Sequence, residues 1–486
     1  MIHDATLRRK SSAGEIPSGA ASAPESQSAQ ARLSLSKKIE AVIASERASF
    51  HTPGHKGRPH SFGADKNFSF ALAGDVTELP GLDDLSRPDG VLLSLETRLS
   101  NLFNARRSFL SVNGASACLL AALMTAATVG RRILVPTNLH RAAVNGLALA
   151  NLEPVWYKPE WNSTYGIYQE VTEAVVEEQL SATNANSLLV VSPTYGGAVS
   201  DIGAIASVCK KRGVLLIVDE AHGAHLLSPD LLPISALSCG ADIVVHSLHK
   251  TLPALTQTGA LHIAHDSLFS LDGARLFLTA LQSSSPSYQL MASVDKLVDF
   301  MSSSSGIKRL QQIVGLAEDL RSRVAGSSLY EVYAGAAFHE PLHVLLRPLF
   351  SVDLALELQK RGIGIEAVFN KSLLCLLGMG SEQCDVDLLV ESLLDIAEQA
   401  GGQPHAEDDI QAPPLFVQSI EPGEAFKLPS NVVPIEAAAG LISAECIAPC
   451  PPGTPVVVPG QLLEKESLAY LLQFTGIRSL RVVEKI

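Results

Sequence analysis

The 486-residue chain has no run of apolar residues approaching the ~18 that a membrane-crossing helix requires, so nothing in it reads as a membrane span. It is short of basic charge. Lys and Arg total 37 against 50 Asp and Glu, a formal charge of -13, and no Lys/Arg-rich run offers a local exception. A polyanion such as nucleic acid is repelled overall, which excludes that class of partner. The seven cysteines form no CxxC pair and are odd in number. Cys446 and Cys450 are the closest, and Pro449 and Pro451 beside Cys450 make a loop rather than a metal ligand set. Such a set of cysteines reads as free thiols in a reducing cytosol. There is no HExxH and no three-ligand pattern, so the close pairs His51/His55, His222/His225 and His246/His249 do not amount to a metal site. No internal repeat is present.

The beginning of the chain lacks the apolar centre of a signal peptide, and Asp4, Glu15 and Glu25 argue against a transit peptide. Its Ser, Ala, Gln and Pro carry too little apolar surface to offset ordering entropy, so residues 1–33 are expected to be a disordered tail.

The chain as a whole is rich in core-forming residues: 47% is hydrophobic and 18% charged. Its length suits two or three domains of ~100–200 residues. After a helix pattern over Leu33–Ser45, short β-branched runs alternate with amphipathic stretches. Ile133–Val135, Ser187–Val191, Val214–Val218 and Ile243–Val245 read as buried strands. Ser116–Thr128, Ala142–Ala150, Val171–Leu180 and Ile202–Arg212 suit helices between them. This alternation predicts an α/β fold, a mainly parallel sheet covered on both faces, with ligands beyond the C-terminal ends of its strands. The expected division is a major domain over 34–325, a small α/β domain over 326–402 and a C-terminal domain over 403–486. The small domain has strand candidates at His343–Arg347 and Leu373–Leu377 and helices at Val352–Arg361 and Asp385–Glu398.

Three strand ends carry a consistent chemical set. Val218–His225 (VDEAHGAH) ends an aliphatic strand in Asp219 and Glu220; His246–Lys250 (HSLHK) follows the strand at Ile243; Ser111–Ser116 (SVNGAS) leads a strand into a helix. Pyridoxal phosphate needs a lysine to join its aldehyde, a carboxylate to keep its ring nitrogen protonated, and backbone N–H groups and hydroxyls at a helix start for its phosphate. Lys250, Asp219, Gly114, Ala115, Ser116 and Ser247 supply these types. Singly, each has an ordinary explanation: a solvated loop lysine, an Asp that forms a turn, an Asn-Gly cap. Their joint occurrence at the ends of one sheet is the signal.

These segments, with FHTPGHKG (Phe50–Gly57), DVTELPGLDDL (Asp75–Leu85), HSLHKTLPALTQTG, SSSPSYQLMASVD (Ser283–Asp295), SPTYGG (Ser192–Gly197) and CPPGTPVVVPG (Cys450–Gly460), resemble the Orn/Lys/Arg decarboxylase family from about residue 34 onward. The resemblance implies a fold-type I pyridoxal-phosphate enzyme that decarboxylates a basic amino acid (lysine or arginine, ornithine less so). It implies the shorter subgroup without an N-terminal wing domain, and a homodimer or higher oligomer with active sites at the subunit interface. It puts the Schiff base on Lys250, the ring nitrogen on Asp219, His222 beside the ring, His140 stacked on its face, His249 beside the cofactor, and Ser116 and Ser247 at the phosphate. Catalysis is thereby expected of Lys250, His140 and His249. Departures from the family pattern fall at Leu139 and Arg141 around the stacking histidine, at Ala115 and Ala117 in the phosphate turn, at Cys450 and at Gln461. The substrate's distal cation needs an acidic partner; Asp75, Glu78, Asp83, Asp84 and Glu445 are the candidates. An aminotransferase, which would want an arginine clamp for the substrate carboxylate, a histidine–metal enzyme and a cofactor-free scaffold are the rival readings.

Overall fold

The computed structural model describes residues 34–46, 49, 51–58, 69–72, 74–335, 339–369, 372–400, 410–449 and 453–484. The expected tail over 1–33 and Cys450 lie outside them.

Seven strands build the main sheet: β1 (Arg107–Ser111), β2 (Arg132–Pro136), β3 (Glu153–Tyr157), β4 (Ser187–Val191), β5 (Leu215–Asp219), β6 (Ile243–Ser247) and β7 (Gly259–Ile263). Their spatial order is β1-β7-β6-β5-β4-β2-β3. The run from β6 to β3 is parallel, and β7 alone lies antiparallel to both its neighbours, β1 and β6. Because side chains alternate across a strand, each strand feeds two cores. Leu215, Ile217, Ile243, Val245 and Leu189 meet the helices Gly114–Ala126, Arg141–Leu149 and Ala274–Leu281. Leu216, Val218, Val244, Leu188 and Val190 meet the helices Val91–Leu102, Ile202–Arg212, Tyr288–Met301 and Ser304–Gly326. A strand buried on both faces has no polar alternation to display, which is why β4, β5 and β6 read as continuous aliphatic runs. At ~1.5–3 kcal/mol per fully buried aliphatic side chain, these two layers hold the strand ends rigid.

The four strands expected from the sequence are present, with boundaries displaced by a residue or two. Two others escape the sequence pattern. β3 is a sheet edge with a proline and half-buried residues; β7 begins at a glycine and contains His262, a polar letter that is fully buried and hydrogen-bonded across to Ser108 Oγ at 2.8 Å.

A second sheet is antiparallel throughout, in the order β8-β9-β11-β10, from β8 (Tyr330–Val332), β9 (His343–Pro348), β10 (Ala367–Phe369) and β11 (Ser372–Leu376). The helices Leu354–Lys360 and Gln383–Gln399 accompany it. Its inward residues Val344, Leu346, Leu373 and Cys375 join the same core as one face of the main sheet. β8 and β10, three residues each, are too short to show a period. A third unit pairs β12 (Ser430–Pro434) with β13 (Ser479–Val483) and packs the helix Lys465–Phe474 through Leu468 and Leu471 onto Leu480 and Val482.

Candidate active site

Register brings the chemical residues to one end of the strands of the main sheet. Gly259 pairs with Ser111 on one side and Ser247 on the other, and Asp219 pairs with Val245, so the ends of β1, β5 and β6 and the start of β7 lie side by side. Beyond them is a cavity of about 440 Å³. Gly114, Ala115, Ser116, His140, Asp219, His222, Ser247, His249 and Lys250 all line it. Every cofactor residue singled out in the sequence is therefore brought to one place.

One end of the cavity is built by backbone. Gly114 sits at φ +75°, in the left-handed region that favours glycine, and turns β1 into the helix Gly114–Ala126. Asn113 precedes this helix without capping it by its side chain; Gly114 N donates to the Gln257 carbonyl at 2.8 Å, and Ala115 and Ser116 line the cavity together with Ser247. Opposite, a Cβ on Gly259 would stand 2.6 Å from Ala115 N and 2.7 Å from Gly114 C. Glycine there leaves the cradle open.

Asp219 is buried at the end of β5, and Ala221 N donates to its Oδ1 at 3.2 Å. Burial raises its carboxyl above the ordinary range, with Lys250 pulling the other way. A cationic partner would relieve that burial cost. Burial lowers the Lys250 ammonium, against Asp219 and Glu366, and so favours the neutral, nucleophilic amine. Lys250 Nζ lies 2.8 Å from His222 Nε2. His222 is held well below the usual histidine range by burial, and Lys250 and His343 depress it further. His140 caps the helix Arg141–Leu149, its Nδ1 accepting from Ala142 N at 3.2 Å; burial and then Lys250 and Arg141 push it down to about 4. It is a neutral ring, suited to stacking. His249 Nδ1 is 3.0 Å from the Thr258 carbonyl, which fixes the ring's orientation.

A helix start without a side-chain cap, a buried carboxylate held by one backbone N–H, a buried lysine whose ammonium is disfavoured and an uncharged ring match the acceptors, donor and face of pyridoxal phosphate. The residues present fit that group.

The model of the Orn/Lys/Arg decarboxylase major domain matches residues 35–343, and that of the family's C-terminal domain matches 415–480. The chain belongs to the Orn/Lys/Arg decarboxylase family. By that membership it is an amino-acid decarboxylase. An arginine decarboxylase of Bacillus subtilis is 30% identical to it over 445 residues, 87% of this chain and 90% of the relative. Lysine decarboxylase A from Pseudomonas aeruginosa superposes with a TM-score of 0.80 at 19% identity, over 93% of this chain and 80% of that one. A structure of SPT with pyridoxal phosphate as its internal aldimine superposes at 0.51 and 14% identity, over 64% of this chain and 77% of that one. These structures share the α/β fold of the decarboxylase.

The acidic candidates fare differently from the cofactor set. None of Asp75, Glu78, Asp83, Asp84 and Glu445 lines the cavity. The Asp83 carboxylate is occupied by the backbone N–H groups of Asp84, Asp89, Gly90 and Leu92, an arrangement that starts the helix Val91–Leu102. Glu445 Oε1 accepts from Arg481 N in the C-terminal unit. Glu366 shares a second cavity of about 460 Å³ with Lys250 and accepts the Tyr195 hydroxyl at 2.6 Å. Tyr195 itself packs edge-on against His222, centroids 4.9 Å apart. Asn138, Tyr195, Thr256, Gln257 and Thr454 also stand in the cavity wall. Tyr195, Gln257 and Thr454 sit inside family-like segments, which is the signal that could have found them; Glu366 sits in none. At the departures, Gln461 is buried and structural, accepting from Val458 N at 3.1 Å. Gly453 brings the C-terminal unit against His140 through the bond from Arg141 N to its carbonyl, 3.0 Å.

Proposed function

We propose that this decarboxylase holds pyridoxal phosphate through Lys250 and releases CO2 from arginine or lysine, arginine being the first substrate to test because the 30%-identical relative carries that name. The observation that carries the reading is the convergence of Lys250, Asp219 and the Gly114–Ser116 cradle on one cavity. When bound, the cofactor supplies the electron sink for the pair left by the departing carboxylate. Asp219 would keep the proton on its ring nitrogen, and burial would strengthen that bond because no water competes. The Ala115 and Ser116 amides with the Ser116 and Ser247 hydroxyls would bind the phosphate, His140 would cover the ring face, and His222 and His249 would orient Lys250 and the ring. Lys250 Nζ, whose ammonium burial disfavours, would be the amine that joins the cofactor and afterwards a proton carrier. We place the enzyme in the cytoplasm: the six described cysteines are all free thiols, which suits a reducing compartment.

The major, small and C-terminal domains are proposed to divide near residues 325 and 402. We further propose a homodimer in which His51–Gly57 and Asp75–Asp84 reach a neighbouring subunit's site. What supports this is that both segments look like family segments yet are absent from this subunit's cavity. The distal cation would then meet an acid from the partner or Glu366. The test is a panel of arginine, lysine and ornithine, assayed for CO2 and for agmatine, cadaverine or putrescine, alongside borohydride trapping. We expect CO2 from at least one of them and a reduced pyridoxyl group on the Lys250 peptide, lost in Lys250→Ala. Transamination without CO2, or an adduct on another lysine, would overturn the reading.

A further inference from the structure

Lys250 is one end of a longer buried chain of groups. From its Nζ the first step is His222 Nε2 at 2.8 Å, and His222 Nδ1 lies 3.0 Å from His343 Nε2. His343 Nδ1 is hydrogen-bonded to Glu340 Oε2. The other oxygen, Glu340 Oε1, is 2.6 Å from His225 Nε2, whose Nδ1 lies 3.1 Å from Thr251 Oγ1. His222, His225, Glu340 and His343 are all buried. The chain crosses between the two sheets: His222 and His225 follow β5, Thr251 follows β6, Glu340 precedes β9 and His343 opens it.

The partners fix the direction of each bond. Glu340 accepts backbone N–H groups from Leu342 at 2.7 Å and His343 at 3.0 Å in addition to the two imidazoles. Burial alone would raise its carboxyl, but His225 and His343 outweigh that and hold it well below the usual range. Surrounded by donors, it is an ionised acceptor. His343 therefore carries its proton on Nδ1. In the neutral pair His343 Nε2 is the acceptor, His222 donates from Nδ1, and His222 Nε2 presents a lone pair to Lys250.

We propose that His222, His343 and Glu340 form a proton relay that draws a proton from Lys250 Nζ and stores it on His343 beside the Glu340 carboxylate. One N–H bond breaks at Lys250 and one forms at His222 Nε2. The Nδ1 proton of His222 then passes to His343 Nε2. His343 becomes an imidazolium against an ionised carboxylate, net charge is unchanged, and the reverse sequence returns the proton. The burial of Lys250 gives the relay its purpose. A lysine that must be neutral to attack and protonated to donate needs somewhere dry to put that proton, and a buried cation is tolerable only next to a counter-charge. Asp219, Glu366, His140 and His249 also face Lys250, and Arg321 and His339 face Glu340, so these are the other charges on which the balance depends. His222 touches the reacting nitrogen; His343 and Glu340 act through it as positioning residues.

The inference rests on Lys250 being the reactive amine, and its test does not need bound cofactor. In the full chain freed of pyridoxal phosphate, formaldehyde and cyanoborohydride methylate only neutral amines, and mass spectrometry of the Lys250 peptide gives the rate at each pH. Glu340→Gln keeps the shape and removes the charge, so the relay no longer holds the proton and Lys250 does. The acid limb of its profile should move up by about 1 pH unit, a roughly tenfold slower modification there, and rejoin wild type at high pH. His343→Gln should move it the same way while leaving Glu340 held by His225 and two backbone N–H groups. It decides the matter if Glu340→Gln does not fold. An unmoved profile in either folded relay variant, or a loss of rate equal at every pH, would make the chain a structural staple and overturn the relay. A wild-type chain that takes up no pyridoxal phosphate overturns the cofactor assignment instead, which the methylation profile is independent of.

Discussion

Asp219 shows how far one residue's role follows from its surroundings. It is buried at a strand end, and its bond from Ala221 N does little to offset the cost of a charge there. In Asp219→Ala the cofactor should still be retained through Lys250 and the phosphate cradle, but turnover should fall roughly 10²–10³-fold, since the lost interaction matters most when charge develops on the ring. Steady-state kinetics on cofactor-saturated protein checks this, and an unchanged kcat would refute the assignment. Asp219 was legible because a polar letter at the end of an aliphatic run has few other places to be. Glu340 and His343 were not. His343 begins a strand candidate and Glu340 precedes it by three residues, and nothing in that spacing announces that tertiary packing sets them against a histidine more than a hundred positions away.

Elements place these residues more than propensity does. Asn-Gly between β1 and the helix Gly114–Ala126 was readable as a turn into a helix start. The tightness of the cradle was not, because it depends on β7 inserting antiparallel between β1 and β6 and bringing Gly259 against Ala115. In Gly259→Ala the new methyl meets backbone on two residues, which cannot move aside as a side-chain tip would. We expect an overpacking cost of about 1–3 kcal/mol, felt as pyridoxal-phosphate binding weakened by about tenfold or more with the fold retained. Titration of the cofactor by absorbance, with circular dichroism as control, measures it; unaltered affinity would remove Gly259 from the cradle.

Over the whole molecule, several buried imidazoles bias stability with pH. His140 and His339 are each depressed to about 4 from 6.5, and His222 is also lowered, all by burial first. Below 6.5 the unfolded chain takes these protons and the folded chain does not, so stability falls as pH drops from 6.5 toward 4. Glu340 acts in the same direction lower down: its folded value lies under the ordinary 4.5, and its contribution, full above 4.5, is lost as pH falls through that depressed value. Thermal melts of the cofactor-free chain at pH ~7.5 and ~5 should show the lower midpoint at ~5. Equal midpoints would mean that these rings are not neutral in the fold. Sedimentation at assay concentration tests the proposed dimer, and an active strict monomer would rule it out.

The parallel core and the family resemblance were legible in the residues alone, as was the gathering of Lys250, Asp219 and the Asn-Gly turn at strand ends, because buried strands force continuous aliphatic runs and the polar groups at their ends sit in local motifs. The sequence left five acids open as partners for the substrate's cation and said nothing of Glu366. That Lys250 shares its surroundings with Glu366 and with the His222–His343–Glu340 chain follows from long-range packing. Those contacts join the main sheet to the second one, across sequence separations that no periodicity records, and they exist because both sheets bury their apolar faces in one common core.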